Sequence, residues 1–150
     1  ALRAGGVFAD VPGTDRAGVL REVVARLRLP EGSDRDWLFE LLLARETMAS
    51  TALGDGIAIP HVRYPIVLPA DQPTVTLCYL KSPVDFAATD GRPVHTLFTL
   101  ITPSVKSHLH TLAKLAGVLL DADVRAALGR RADERDIVTV IERAETGATP

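Results

Sequence analysis

Cysteine is nearly absent from this chain, which carries only Cys78 among its 150 residues. A single cysteine cannot form a disulfide within the chain, so a disulfide-stapled secreted fold is excluded and a reducing, cytoplasmic location is expected. No apolar run approaches the ~20 residues that a membrane-spanning helix requires, and the N-terminus shows no signal-peptide pattern. We therefore expect no direct membrane insertion.

The sequence also lacks a block of basic residues. Its 17 lysines and arginines are scattered among 19 acidic residues, giving a formal net charge of -2. Binding of nucleic acid by this segment is therefore not expected. The glycine-rich nucleotide-binding motifs and the Gly-x-Ser-x-Gly motif of hydrolases are absent, and the lone cysteine without a His-Glu-x-x-His motif argues against zinc.

Apolar residues are plentiful enough for a packed core. About 47% of the residues are hydrophobic and 24% are charged, and the length is ordinary for one domain. We interpret residues 1–150 as a single domain. Because the first residue is alanine rather than methionine, we also expect the chain to be a fragment of a longer protein.

Hydrophobic periodicity predicts helices near both ends of the chain. They are expected over residues 15–28, 33–48, 109–119, 122–128 and 137–144. Ser33 is the predicted N-cap of the second helix, which should be largely buried. In the third helix the apolar residues that repeat at helical spacing are Leu109, Leu112, Ala116 and Leu119.

The middle of the chain is rich in residues that favour strands. Strands are predicted over residues 74–80 and 94–101, with an edge strand at 84–86 and a turn at Asp90-Gly91, and residues 56–60 form either a short buried strand or a strand-like turn. Helices on both sides of a strand-rich centre are typical of a layered α/β domain.

His61 is the most conspicuous candidate for chemistry. It follows Pro60, whose ring fixes its own φ and biases Ile59 toward an extended conformation, while Gly54 and Gly56 permit a tight turn upstream. A neutral imidazole is plentiful near pH 7, can attack phosphorus and forms a labile N–P bond. A structural or surface histidine is the alternative.

Three polar residues upstream have two interpretations each. Arg45 lies on the apolar stripe of the second helix, where it either binds phosphate oxygens bidentately or forms a salt bridge with Glu46. Ser50 and Thr51 follow that helix and offer hydroxyls either to a phosphoryl group or to backbone groups at the helix end.

The other candidates are basic or histidine side chains. His108 and His110 are about 200° apart on a helix, which disfavours a shared metal. His108 lies near a helix N-terminus, which favours anions, whereas His110 should face solvent. Arg63 either steers an anionic partner or is an ordinary surface residue, and His95 is expected to be a packing or surface residue.

Several of these residues share a motif that resembles a known family. Residues 45–61, Arg-Glu-Thr-Met-Ala-Ser-Thr-Ala-Leu-Gly-Asp-Gly-Ile-Ala-Ile-Pro-His, resemble the signature of type-2 enzyme IIA domains of the phosphoenolpyruvate-dependent sugar phosphotransferase system. Both fructose/mannitol-type members and the nitrogen-related regulatory paralogue show it. Residues 83–86, 90–94 and 106–112 also fit. The chain departs at Ala52 and Val62, where the family often has glycine, and both changes add bulk beside the site.

The resemblance implies a fold and an activity. The fold would be a single three-layer α/β domain, with a mixed parallel/antiparallel sheet of about five strands and helices on both faces. His61 would accept a phosphoryl group that His108 and Arg45 position, and no metal, nucleotide or other cofactor would be used. The donor would be a phosphohistidine carrier protein (HPr-like), and the acceptor an enzyme IIB domain or a regulatory protein.

Two other functions stay open at this level. The chain is either a regulatory interaction module switched by phosphorylation of His61, or a binding domain that kept the fold without being phosphorylated. Sugar transport and regulation are not separated by the sequence.

Overall fold

The computed structural model describes residues 2–48, 50–60 and 73–147. His61 and Arg63 therefore lie outside the described residues, as does Val62. The described helices are α1 Leu2–Gly5, α2 Arg16–Arg26, α3 Arg35–Met48, α4 Val105–Val118, α5 Ala122–Gly129 and α6 Glu134–Gly147. The described strands are β1 Val7–Val11, β2 Ala52–Gly54, β3 Ile57–Ala58, β4 Thr74–Val84 and β5 Val94–Ile101. Within these ranges no helix has the length and apolarity to cross a membrane.

The five strands form one sheet in the order β1-β4-β5-β3-β2. Strand β1 is parallel to β4, and β3 is parallel to β5, while the pairs β4–β5 and β2–β3 are antiparallel. In the central pair the register places Cys78 opposite Leu97. The sheet is therefore mixed, as the sequence resemblance implied.

Alternate residues of β4 face two separate hydrophobic cores, as expected for a strand covered on both faces. Cys78 and Leu80 face the core built with α2 and α3. Leu77 and Tyr79 face the core built with α4, α5 and α6. The predicted three-layer α/β architecture is confirmed. Cys78 is fully buried, and this burial raises its pKa to about 12.

Helix α3 begins at Arg35, two residues after the start of the predicted range 33–48, and its N-cap is Asp34 rather than Ser33. The carboxylate of Asp34 accepts a hydrogen bond from the Trp37 amide at 3.0 Å, which caps the helix. Ser33, the predicted cap, instead donates its hydroxyl to the Pro30 carbonyl at 2.6 Å. The expectation of a largely buried helix is also wrong at Trp37, which is 51% exposed.

The strand-rich region differs from the prediction at its ends. Strand β1 was not predicted, because two of its five residues are polar or small and the run is short. The predicted edge strand at 84–86 is wrong, since Val84 is the last residue of β4 and pairs with Val94. Phe86 follows in a loop and buries its ring in the core with α2 and α3.

Helix α4 buries only part of the stripe that its leucines indicated, since Leu112 packs against the core with α5 and α6 and Leu119, just past the helix end, is buried. Leu109 is 61% exposed, whereas His108, Leu115 and Val118 are buried. The physical reason is that the inward face carries a histidine, which breaks the apolar pattern that sequence analysis relies on. That buried histidine is one of the predicted site residues.

Candidate functional site

Two neighbouring parallel strands end at the same edge of the sheet. Ile57 pairs with Thr96 and Ala58 with Leu97, so β3 and β5 run in one direction side by side. Strand β3 continues into buried Ile59 and Pro60, and β5 leads within a few residues to α4. Ligands of α/β sheets bind at the carboxyl ends of strands, so this edge is the candidate site.

The first turn of α4 places His108 at this edge. Ser104 is the N-cap: its hydroxyl accepts from the Ser107 amide at 3.1 Å, and its carbonyl accepts from the His108 amide at 3.0 Å. The His108 side chain is buried, at 6% exposure, while His110 is exposed as predicted. His108 therefore sits beside the amide-rich end of a long helix, which favours an anion.

The last turn of α3 carries Arg45 and Glu46. Arg45 is half-buried near the helix C-terminus, where the dipole favours a cation. Glu46, which sequence analysis did not single out, is only 2% exposed. A signal for it existed, because Glu46 lies four residues after Leu42 and seven after Phe39, both of which are buried.

The Glu46 carboxylate is bound by Thr51. The Thr51 amide lies 3.0 Å from Oε1 and 3.2 Å from Oε2, and its hydroxyl donates to the same two oxygens at 2.9 Å each. Thr51 is itself buried. This carboxylate thus fixes the chain just after α3.

The Ser50 hydroxyl also forms hydrogen bonds within the protein. Its Oγ donates to the Phe86 carbonyl at 2.5 Å and accepts from the Ala52 amide at 3.1 Å. The hydroxyl hydrogens of Ser50 and Thr51 are therefore both engaged with protein acceptors. The prediction that either one contacts a phosphoryl group stays a prediction, and it requires the hydroxyl to turn away from its present acceptor.

The β2–β3 hairpin connects this loop to Pro60. Near its open end the Ile59 amide donates to the Thr51 carbonyl at 3.1 Å. At its tip the Asp55 amide donates to the Asp90 carboxylate at 2.8 Å, and Asp55 pairs with Arg92 and Arg125. The hairpin is anchored at both ends, so its position relative to the sheet is fixed.

The His95 ring packs against the β2–β3 hairpin. Its Nδ1 lies 2.6 Å from the Thr96 hydroxyl oxygen, and its ring packs on Gly56, where an added Cβ would lie 2.3 Å from the ring. Gly56 has φ of 80°, a left-handed conformation that glycine adopts at least cost. Burial lowers the pKa of His95. The prediction that His95 is a packing residue is confirmed.

The described part of the site thus has two components. Arg45, Ser50 and Thr51 lie at the end of α3, and His108 lies at the start of α4. His61 and Arg63 are outside the described residues, and their predicted roles stay predictions. Among the described residues no group of three or more histidine, cysteine or acidic side chains could hold a metal ion.

Comparison with known proteins identifies the class to which this fold and site belong. The family described as phosphoenolpyruvate-dependent sugar phosphotransferase system, EIIA 2, matches residues 1–144. The chain belongs to this family, whose members are components of a phosphotransferase system.

Individual relatives include regulatory members of the family. The nitrogen regulatory protein of Pseudomonas aeruginosa is 42% identical over 132 residues, covering 85% of this chain and 82% of that protein. The Escherichia coli nitrogen regulatory protein is 36% identical over 119 residues, covering 75% of this chain and 68% of that protein. The solved structure of nitrogen regulatory protein IIA-Ntr from Neisseria meningitidis has a TM-score of 0.78 at 30% identity, covering 93% and 95% of the two chains.

Proposed function

We propose that this chain is a phosphocarrier domain that accepts a phosphoryl group on His61 from a phosphohistidine carrier protein (HPr-like). The observation that carries the proposal is that the family match spans residues 1–144, and so includes the motif that ends in His61. The topology supports it, because the chain reaches Pro60 at the sheet edge where α4 begins with buried His108.

The proposed transfer moves one phosphoryl group between two imidazoles. The lone pair of a neutral His61 ring nitrogen attacks phosphorus as the donor N–P bond breaks, and the electron pair of that bond returns to the donor ring nitrogen. The other ring nitrogen of His61 loses a proton and the donor imidazole takes one up, so both rings end neutral. No oxidation or reduction occurs. Arg45 and His108 would bind the equatorial oxygens, where charge accumulates in the transition state. The same steps in reverse order would pass the group to an acceptor.

Exposed apolar side chains near the candidate site fit a protein partner. Val105 and Leu109 are 55% and 61% exposed, lie four residues apart on one face of α4, and flank buried His108 in sequence. Leu53 on β2 and Met48 at the end of α3 are also more than half exposed. Apolar contact of this kind is typical of interface centres. We propose that the donor and acceptor proteins dock here.

The acceptor is proposed to be an enzyme IIB domain or a regulatory protein. A solved complex of enzyme IIA mannitol with phosphorylated enzyme IIB mannitol from Escherichia coli shares this fold, with a TM-score of 0.72 at 17% identity. The proposal places the chain in the cytoplasm with such partners.

Regulation is the second candidate function. The nitrogen regulatory proteins of Pseudomonas aeruginosa and Escherichia coli are 42% and 36% identical to this chain over 132 and 119 residues. Fructose-specific components are 28% identical over 137 residues (Bacillus subtilis EIIABC) and 37% identical over only 97 residues (Haloferax volcanii EIIA). In this version, phosphorylation of His61 switches the binding of a target protein. A candidate target that binds wild type and His61→Asp equally well would contradict the switch.

Labelling with radioactive phosphoenolpyruvate tests the phosphocarrier proposal. The protein is incubated with enzyme I and the carrier protein, and the label should be stable in alkali and lost in acid. His61→Ala should abolish labelling while circular dichroism shows a retained fold. His110→Ala is the matched control, because His110 is exposed and should be dispensable. Unlabelled wild type, or undiminished labelling of His61→Ala, would contradict the proposal.

A further inference from the structure

We infer that Glu46 is a positioning residue for phosphoryl transfer at His61, acting through Thr51 and Ile59. The inference rests on the proposed function, since it assigns a residue that holds the acceptor segment in place. Glu46 is not proposed to touch the phosphoryl group. Glu46 lies in the last turn of α3. We call the hydrogen-bond path from its carboxylate through Thr51 to the Ile59 amide the relay.

The first link of the relay joins Glu46 to Thr51. Both Thr51 donors, its amide and its hydroxyl, reach the carboxylate within 3.2 Å, and each donor reaches both oxygens. Hydrogen bonds to a charged acceptor are stronger and more directional than neutral ones, especially when water is excluded. Glu46 and Thr51 are only 2% and 6% exposed. This link therefore fixes the Thr51 backbone.

The second link joins Thr51 to the acceptor segment. The Thr51 carbonyl accepts from the Ile59 amide at 3.1 Å, across the open end of the β2–β3 hairpin. Ile59 is 1% exposed and is followed by buried Pro60, whose ring fixes φ. Only Pro60 separates Ile59 from His61 in the chain. A displacement of Thr51 would therefore displace Ile59 and the residues that follow it, because the Pro60 ring leaves few freely rotating backbone bonds between Ile59 and His61.

Burying the Glu46 carboxylate costs free energy that a purely structural role does not require. A buried carboxylate must be compensated by hydrogen bonds, and an apolar side chain at the same position is often as stable or more stable. In the described part of the chain, the hydrogen bonds to the Glu46 carboxylate come from Thr51. The presence of a buried carboxylate at position 46 is therefore best explained by its holding Thr51 in place.

The test measures phosphorylation of the whole protein from the phosphorylated carrier protein, separating kcat from KM. Glu46→Ala should lower kcat roughly 10- to 100-fold with KM changed less than about twofold, because small displacements of reacting groups have effects of this size while the docking surface is unchanged. Glu46→Gln keeps an acceptor for the Thr51 amide and should recover most of kcat. Thr51→Val should lower kcat, and Thr51→Ser should not.

Two matched controls lie on the same helix. Glu40→Ala removes an exposed carboxylate, and Thr47→Val removes an exposed hydroxyl that donates to the Ala44 carbonyl at 2.8 Å. Both should leave kcat within about twofold of wild type, as expected for surface positions. Urea unfolding of each variant gives the folded fraction, so that kcat refers to folded protein only.

Amide hydrogen exchange at Ile59 gives a readout that needs no phosphoryl transfer. Glu46→Ala should speed exchange of the Ile59 amide more than that of Leu97 on β5. A wild-type kcat in Glu46→Ala, or in Thr51→Val if the first variant does not fold, would overturn the inference while the proposed function stands. Absence of any labelling in wild type would instead overturn the proposed function.

Discussion

Replacing Gly56 with alanine should destabilise the fold through one identifiable contact. The new Cβ would lie 2.3 Å from the Cδ2 and Nε2 atoms of the His95 ring, so the ring must move. Moving it breaks the contact between His95 Nδ1 and the Thr96 hydroxyl, which are 2.6 Å apart. Alanine must also adopt φ of 80°, which is unfavourable for any residue with a Cβ.

The sum of these three effects gives the expected loss in the free energy of unfolding. The left-handed backbone costs about 1–2 kcal/mol, overpacking about 1–3 kcal/mol and the lost hydrogen bond about 1 kcal/mol. Gly56→Ala should therefore lower the free energy of unfolding by about 3–6 kcal/mol. For a domain of this size, that corresponds to a fall in Tm of roughly 6–24 °C. Urea unfolding followed by circular dichroism measures the first quantity, and thermal unfolding the second.

A double-mutant cycle isolates the contact with His95. In a His95→Ala background the ring and its hydrogen bond are gone, so only the backbone cost remains and Gly56→Ala should cost about 2–4 kcal/mol less than it does in wild type. Gly117→Ala is the control, because Gly117 lies inside α4 with no neighbouring atom within 4 Å of an added Cβ. It should stabilise the protein by about 0.5–1 kcal/mol. Strictly additive effects of the Gly56 and His95 substitutions would refute the reasoning.

Three further predictions concern titration and buried polar atoms. Burial lowers the pKa of His95 below the ~6.5 of the unfolded chain, so the stability that neutral His95 contributes is present above pH ~6.5 and lost as pH falls. The free energy of unfolding in urea between pH 5 and 8 should therefore depend less on pH in His95→Gln than in wild type. Burial holds the pKa of Cys78 near 12, so a thiol reagent at pH 8 should react only in denaturant, and rapid labelling of native protein would contradict its burial. The Tyr79 hydroxyl donates to the buried Ala132 carbonyl at 2.8 Å, so Tyr79→Phe should cost about 1–2 kcal/mol in urea unfolding, and an unchanged midpoint would be contrary to this.

Periodicity predicted the elements whose burial is carried by apolar residues alone. Strand β5 was predicted with its observed bounds, because all of its residues except His95 are buried and most are β-formers. Helix α2 was predicted within two residues at its C-terminus. There the Arg35 guanidinium binds the carbonyls of Val24 and Leu27 at 2.5 and 2.9 Å and helps to end the helix. Such a contact from a later helix has no local sequence signal.

The prediction of the candidate site relied on polar residues that interrupt apolar stripes, and it missed Glu46, whose partner Thr51 lies just beyond the end of its helix. His108 lies at the start of a helix as predicted, but its burial was not predicted, because the apolar pattern pointed to the neighbouring Leu109, about 100° around the helix and exposed. Glu46 was considered only as a partner for Arg45, whereas its carboxylate binds Thr51. The chain folds back after α3, and this geometry brings residues five apart into contact in a way that helical spacing does not predict.

The proposed function depends on His61 carrying the phosphoryl group. The most direct measurement is tandem mass spectrometry at alkaline pH, which preserves the N–P bond, on wild-type protein phosphorylated by enzyme I and the carrier protein. We expect phosphate on His61 and unmodified peptides containing His108 and His110. Phosphate on His108, on another residue or on none would contradict the proposed function.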